Sequence, residues 1–189
     1  MPVNWGKNDD LALAEAKASN RPVLIDFTAA PACTGCARLD AESYMNDEIS
    51  TYIHRHFISL RMCIRENAAQ FDRFEVLWTP TVLILDSGGR ERYRIEGYLP
   101  LREFAAHLSL GLGRMAFTNK HWQEAEDHYA RVLEKYPDTR AVAEALYWAS
   151  ASCYKQTNDI RVLAEMSQFN PKWKDTIWAI KASAWSRGR

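Results

Sequence analysis

The stretch Val23-Leu24-Ile25-Asp26-Phe27-Thr28-Ala29-Ala30-Pro31-Ala32-Cys33-Thr34-Gly35-Cys36 decides the fold. Its first five residues are apolar or β-branched around a single Asp, the pattern of a short strand buried on both faces. Small residues follow from Thr28 to Ala32, then two cysteines spaced C-x-x-C. A helical stretch continues from about Thr34 to Tyr44. That order sets Cys33 at the mouth of a helix, where unpaired backbone N–H groups and the helix dipole favour an anion. The placement matters because a thiolate, not a thiol, attacks a disulfide, and a free cysteine has a pKa of ~8.5. Cys36, three residues on, lies on the same face one turn deeper. It is placed to displace a mixed disulfide formed by Cys33. Cys33 then reads as the attacking thiol and Cys36 as the resolving thiol.

Working outward, residues 9–19 read as a helix, with Asp9 and Asp10 in its first turn and an Ala/Leu-rich body. Asn20-Arg21-Pro22 stops it. Asn46 is placed to cap a helix through Arg55. Phe57 to Met62 reads as a second strand and Asn67 to Phe74 as a short helix. Thr81 to Leu85 is a third strand, Asp86-Ser87-Gly88-Gly89 a hairpin turn, and Glu91 to Ile95 a fourth strand ending at Gly97. Leu101 to Leu112 closes the region as a helix. Strands separated by helices and finished by a hairpin imply an α/β fold, a central mixed sheet flanked by helices. From Gly113 onward no strand pattern appears. Helical spacing dominates, punctuated by Tyr136-Pro137-Asp138 and Asn170-Pro171, with the prolines 34 residues apart. The chain therefore divides into residues 1–112 and an all-α region, residues 113–189.

Composition excludes several functions. Lys+Arg and Asp+Glu both number 24, so the net charge is zero. A nucleic-acid surface would need a basic excess. Apolar runs reach only strand length, far below the ~20 residues that span a bilayer. The first ten residues lack a basic region followed by an apolar one, so a cytoplasmic location is expected. Removal of a leader would leave the same sequence and a periplasmic location instead. Of the four cysteines, Cys63 and Cys153 stand alone, which does not resemble a secreted disulfide scaffold. A structural zinc ion wants four ligands. It would have to recruit from Cys63, Cys153, His54 or His56, none of which supplies a second spaced pair. No metal and no further cofactor are expected.

Residues 1–112 resemble the thioredoxin superfamily, in particular the thioredoxin-like branch that includes the C-terminal domain of bacterial membrane thiol–disulfide transporters. The resemblance rests on Val23 to Phe27, Cys33-Thr34-Gly35-Cys36, Trp78-Thr79-Pro80-Thr81 and Gly97. It implies a cis proline at Pro80 facing the two sulfurs, with the backbone of Thr79 pairing with the substrate chain. It also implies a buried carboxylate, Asp26, that relays a proton to Cys36. The implied activity is thiol–disulfide exchange, with a protein disulfide as substrate and a thiol as electron donor. Two departures stand out: Pro31-Ala32 replaces the tryptophan usual before the first cysteine, and Thr34-Gly35 replaces Gly-Pro.

The helical region resembles a tetratricopeptide repeat at Leu112-Gly113, Ala125, Tyr129 and Pro137, with a degenerate second unit over 140–171. Such helix hairpins generally dock protein segments, so this region is expected to position a partner. Two functions follow from these features. One is an oxidoreductase with a docking tail. The other is a redox-inactive thioredoxin-fold scaffold whose helical repeats bind a protein.

Overall fold

The computed structural model describes residues 2–166 and 171–186. The chain parts into two compact units, Met1–Ala105 and Ala106–Arg189. The first is built from α1 (Asp9–Ser19), β1 (Val23–Thr28), α2 (Thr34–Leu39), a π-helical turn (Asp40–Tyr44) and α3 (Asp47–His56). There follow β2 (Ile58–Cys63), α4 (Ala68–Arg73), β3 (Thr81–Leu85), β4 (Glu91–Glu96) and the start of α5 (Leu101–Thr118). The sheet order is β2-β1-β3-β4, with β1 parallel to β2 and antiparallel to β3, and β3 antiparallel to β4. This is the mixed, helix-flanked sheet that the sequence implies.

Local chemistry accounts for the element ends. The Asn8 side chain accepts the Leu11 N–H and caps α1, which stops at Asn20 in the left-handed region. The Asn46 side chain accepts the N–H groups of Glu48 and Ile49 at the start of α3, satisfying donors that a helix start leaves open. Every residue of β1 and β3 is buried, as their uninterrupted apolar runs require. Strand alternation sends Val23, Ile25 and Phe27 into a core with Leu60, Met62, Leu83, Leu85 and Phe71. The same alternation turns Leu24 and Asp26 to the opposite face.

The helix expected over Thr34 to Tyr44 is present but changes character. Four residues after Cys36 it widens into the π-turn, whose Asp40 N–H still donates to the Cys36 carbonyl. Such π-turns recur at functional sites.

The second unit is helical, with α6 (Trp122–Lys135), α7 (Ala141–Thr157), α8 (Ile160–Met166) and α9 (Ile177–Ala182). The helix expected to end at Leu112 instead continues to Thr118. Gly113 sits inside it because the Tyr129 ring lies against that point; a Cβ there would be 2.5 Å from Tyr129 Cε1. The missing side chain makes this a site of close helix approach. The aromatic residues of this unit pack on one another: Phe117 meets Trp122 and Trp148, and Tyr147 meets Trp178 and Trp185. Asn170, part of the expected punctuation at Asn170-Pro171, lies outside the described residues. Among the described residues no helix is long and apolar enough to cross a membrane.

Candidate active site

Cys33 occupies the N-cap of α2, half-exposed, and Cys36 is 3% exposed one turn inside. The two are joined as a disulfide, with their Cα atoms 5.2 Å apart. Cys33 Sγ accepts the Cys36 N–H at 3.1 Å. A helix-start N–H with no intrahelical acceptor thus points at the Cys33 sulfur. Across from it, Cys33 Sγ lies 3.5 Å from the Thr79 carbonyl oxygen. The Thr79–Pro80 peptide is cis, and so is Ala30–Pro31.

The segment carrying Thr79 and Pro80 is tied down at both ends. Thr81 Oγ1 donates to the Trp78 carbonyl at 2.8 Å, and the Gly97 N–H donates to the Pro80 carbonyl at 2.8 Å. Gly97 has φ +84°, a conformation that glycine adopts without strain. A Cβ on Gly35 would stand 3.0 Å from Pro80 Cδ and 3.3 Å from Tyr98 Cβ. Glycine between the cysteines is what lets the proline come this close.

These residues line a groove of about 430 Å³, formed by Ala29, Ala32, Cys33, Thr34, Gly35, Trp78, Thr79, Pro80 and Tyr98. Of these, Trp78 is a large apolar side chain at 71% exposure, and its chain neighbour Leu77 is 88% exposed. Tyr98 is held by Arg38, whose guanidinium donates to its hydroxyl at 2.9 Å and lies over its ring. The same hydroxyl donates to Glu42, which also accepts from Arg38.

Asp26 does not line the groove. It is 2% exposed within the sheet, in register with Arg61 of β2. Arg61 Nε donates to Asp26 Oδ2 at 2.8 Å, while its Nη2 donates to Asp40 Oδ1 at 2.5 Å. The guanidinium lies over the Trp5 ring, with Tyr44 at its side. Burial pushes the Asp26 carboxyl up to about 6, against the pull of Arg61. The Tyr44 hydroxyl lies near enough to help hold it down. Even so, neither Asp26 Oδ1 nor Tyr44 Oη meets a partner at normal hydrogen-bond geometry among the described residues. Burial beside Asp26 drives the Tyr44 hydroxyl far above its ordinary range.

Of the five residues singled out from sequence, Cys33, Thr79 and Pro80 line the groove, Cys36 is buried one turn behind Cys33, and Asp26 is placed with the π-turn that continues the helix of Cys36. Trp78, Tyr98, Arg61, Asp40 and Tyr44 complete the arrangement. Arg61 did carry a signal: it is the one charge in the run Phe57 to Met62, as Asp26 is in its own strand. Cys63 and Cys153 are free and half-buried. His54 accepts the Asn4 N–H, and His56 packs on Tyr52. Among the described residues no group of three or more His, Cys, Asp or Glu is gathered to hold a metal.

A joined cysteine pair at a helix start, facing a cis-proline segment on a mixed sheet, is now in place. Residues 9–111 match the family described as "Thioredoxin-like domain". The chain belongs to the thioredoxin-like family. Over 106 residues it is 28% identical to the thiol:disulfide interchange protein DsbD of Salmonella typhi. It is 26% identical over 98 residues to the protein of that name from Yersinia pestis. These alignments cover 53% and 49% of this chain but only 18% and 16% of the relatives. The thioredoxin fold is also seen in a solved thioredoxin from Thermus thermophilus, with TM-score 0.55 and 24% identity, covering 64% of this chain and 96% of that one. A DsbH oxidoreductase structure aligns with TM-score 0.54 at 14% identity, covering 59% of this chain and 85% of that one.

Proposed function

We propose that the chain is a thiol–disulfide oxidoreductase acting on disulfides of other proteins, with Cys33 attacking and Cys36 resolving. The joined cysteine pair at the start of α2, with Cys33 open to a groove floored by Pro80, carries the reading. In the reduced protein the Cys33 thiolate attacks one sulfur of a substrate disulfide. That S–S bond breaks, a mixed disulfide forms, and the departing substrate sulfur takes a proton. Cys36 gives its proton to Asp26 and attacks Cys33 Sγ, releasing the second substrate sulfur, which is protonated in turn. Two electrons and two protons pass to the substrate, and the Cys33–Cys36 disulfide remains. A thiol electron donor must then reduce it.

The substrate backbone runs along Thr79, with Pro80 beneath it, and Trp78 gives an apolar flank. The raised pKa of Asp26 supports its role as relay, because a base that gives and takes a proton near neutral pH works best with a pKa close by. Residues 1–112 carry this chemistry, and residues 113–189 form a tetratricopeptide-like region that docks a protein partner. The close seat of Gly113 on Tyr129 supports that second assignment. A reductant would have a potential near roughly −270 mV and an oxidant one near roughly −120 mV. The likeness to thiol:disulfide interchange proteins supports the periplasmic location over the cytoplasmic one, since disulfides persist in that compartment.

The test is a trap. Cys36→Ser leaves Cys33 able to attack but unable to be released, so mixed disulfides through Cys33 should accumulate and dissolve under excess thiol. No trapped adduct, together with no disulfide-exchange activity in the unaltered chain, would refute the assignment.

A further inference from the structure

We infer that Asp40 is a positioning residue for the Asp26 relay: it shares the single guanidinium of Arg61 with Asp26, and so leaves Asp26 able to accept the Cys36 proton. This rests on the assignment of Asp26 as the proton acceptor for Cys36.

The geometry is that of one cation between two anions. Arg61 spends Nε on Asp26 and Nη2 on Asp40. A buried carboxylate with a guanidinium to itself, in bidentate contact, is held firmly ionised and makes a poor proton acceptor. Here the second nitrogen is drawn to Asp40, and Asp26 Oδ1 is left without a partner at normal geometry among the described residues. With both carboxylates ionised the trio carries one excess negative charge, which one proton neutralises. Asp26 is the natural recipient, because its side chain is 3% exposed while that of Asp40 is 35% exposed and hydrated.

Two further features fix the arrangement. The Trp5 ring covers the guanidinium face, Tyr44 meets Trp5 edge-on with centroids 4.8 Å apart, and both confine Arg61 to its place between the acids. The π-turn ties the trio to the cysteines as well. Asp40 bonds through its N–H to the Cys36 carbonyl, an i,i+4 relation that sets the two side chains on one helix face, on the order of 6 Å apart. The groups that face Asp26 electrostatically are Arg61 on β2, and Asp40 and Tyr44 on the π-turn. From β3 it meets Val82, which is apolar. Asp40 pushes the Asp26 carboxyl upward, in the sense the geometry requires.

The test is a carbon-13 NMR titration of the Asp26 carboxyl in the full oxidised chain, comparing Asp40→Asn with Asp40→Glu. Asp40→Asn removes the competing charge and returns Arg61 to Asp26, so the midpoint should fall by about one pH unit. Asp40→Glu keeps the charge and should stay near the unaltered midpoint. A midpoint that is unchanged or raised in Asp40→Asn overturns the inference. Asp40→Ser gives the same comparison should Asp40→Asn fail to fold.

A second measurement separates this inference from the assignment beneath it. The rate at which the pre-reduced protein resolves a mixed disulfide is followed across pH in the unaltered chain, Asp26→Asn and Asp40→Asn. Loss of the inflection in Asp26→Asn with a lowered inflection in Asp40→Asn supports both claims. Loss in the first with no movement in the second overturns the role of Asp40 alone. An unchanged profile in Asp26→Asn overturns the relay itself, and the role of Asp40 with it.

Discussion

Replacing Asp26 by Asn should stabilise the folded protein at pH 8 and do little at pH 4. In the folded chain the Asp26 carboxyl has a pKa of about 6, set first by burial, against an ordinary value of 3.8 that the unfolded chain restores. Between these values the folded state holds the proton more tightly than the unfolded state does. Stability therefore falls as pH rises from near 4 through 6, and the cost is complete above the folded pKa. At about 1.36 kcal/mol per pH unit, the gap from 3.8 to about 6 corresponds to about 3 kcal/mol. Asn is close in shape and does not ionise, so its contribution is independent of pH. The informative quantity is a difference of differences: the stability of Asp26→Asn minus that of the unaltered chain, at pH 8 and again at pH 4. Effects of lost shape or hydrogen bonding are common to both conditions and cancel. Denaturant titration of the oxidised proteins, followed by near-UV circular dichroism, measures it. Because a carboxyl of ordinary pKa 3.8 is already partly ionised at pH 4, the gain at pH 8 should exceed that at pH 4 by about 2.5 kcal/mol. An equal ΔΔG at the two pH values, or a larger gain at pH 4, would show that Asp26 is not a strained buried acid.

Three other substitutions report on separate parts of the structure. Gly35→Ala puts a methyl group 3.0 Å from Pro80 Cδ. It should push the cysteine turn off the proline and slow protein-disulfide exchange at least several-fold, while a stopped-flow trace matching the unaltered chain would deny that packing role. Trp78→Ala removes a side chain that is 71% exposed beside the groove. It should raise KM for a protein disulfide and leave the reaction with a small dithiol reagent unchanged, and equal loss with both substrates would argue against a docking role. Gly113→Ala drives a Cβ to within 2.5 Å of Tyr129 Cε1. It should lower stability by about 1–3 kcal/mol through overpacking, as read by thermal melting of the helical signal, with Cys33 reactivity preserved.

Parts of this molecule can be read from its sequence because the local signals and the fold agree. The run Val23 to Phe27 is apolar on both faces and becomes the buried β1. Asn46 sits one residue before α3 and caps it. Gly97 stands where the chain must take a positive φ. Cys33 and Cys36 could be assigned their roles because a helix start and a three-residue spacing have fixed electrostatic and geometric consequences. The Asp26–Arg61–Asp40 trio is a different case. Each of its members is visible as a charged residue, yet their meeting depends on strand register and on a π-turn, neither of which has a strong local signal. The end of α5, at Thr118 where the sequence implies Leu112, has a related cause. The helix runs on through Gly113 because the Tyr129 ring packs where a side chain would be, a contact between two helices that no local signal shows. The groove wall of Trp78 and Tyr98 comes from two segments that only the fold brings together.

Disulfide exchange with other proteins through Cys33 and Cys36 is the activity proposed for this chain. Catalysed reduction of the interchain disulfides of insulin by dithiothreitol, followed by turbidity, tests it most directly. The unaltered chain should accelerate precipitation well above dithiothreitol alone, and Cys33→Ser should abolish the acceleration. A rate no faster than dithiothreitol alone, or one that survives in Cys33→Ser, would contradict the assignment.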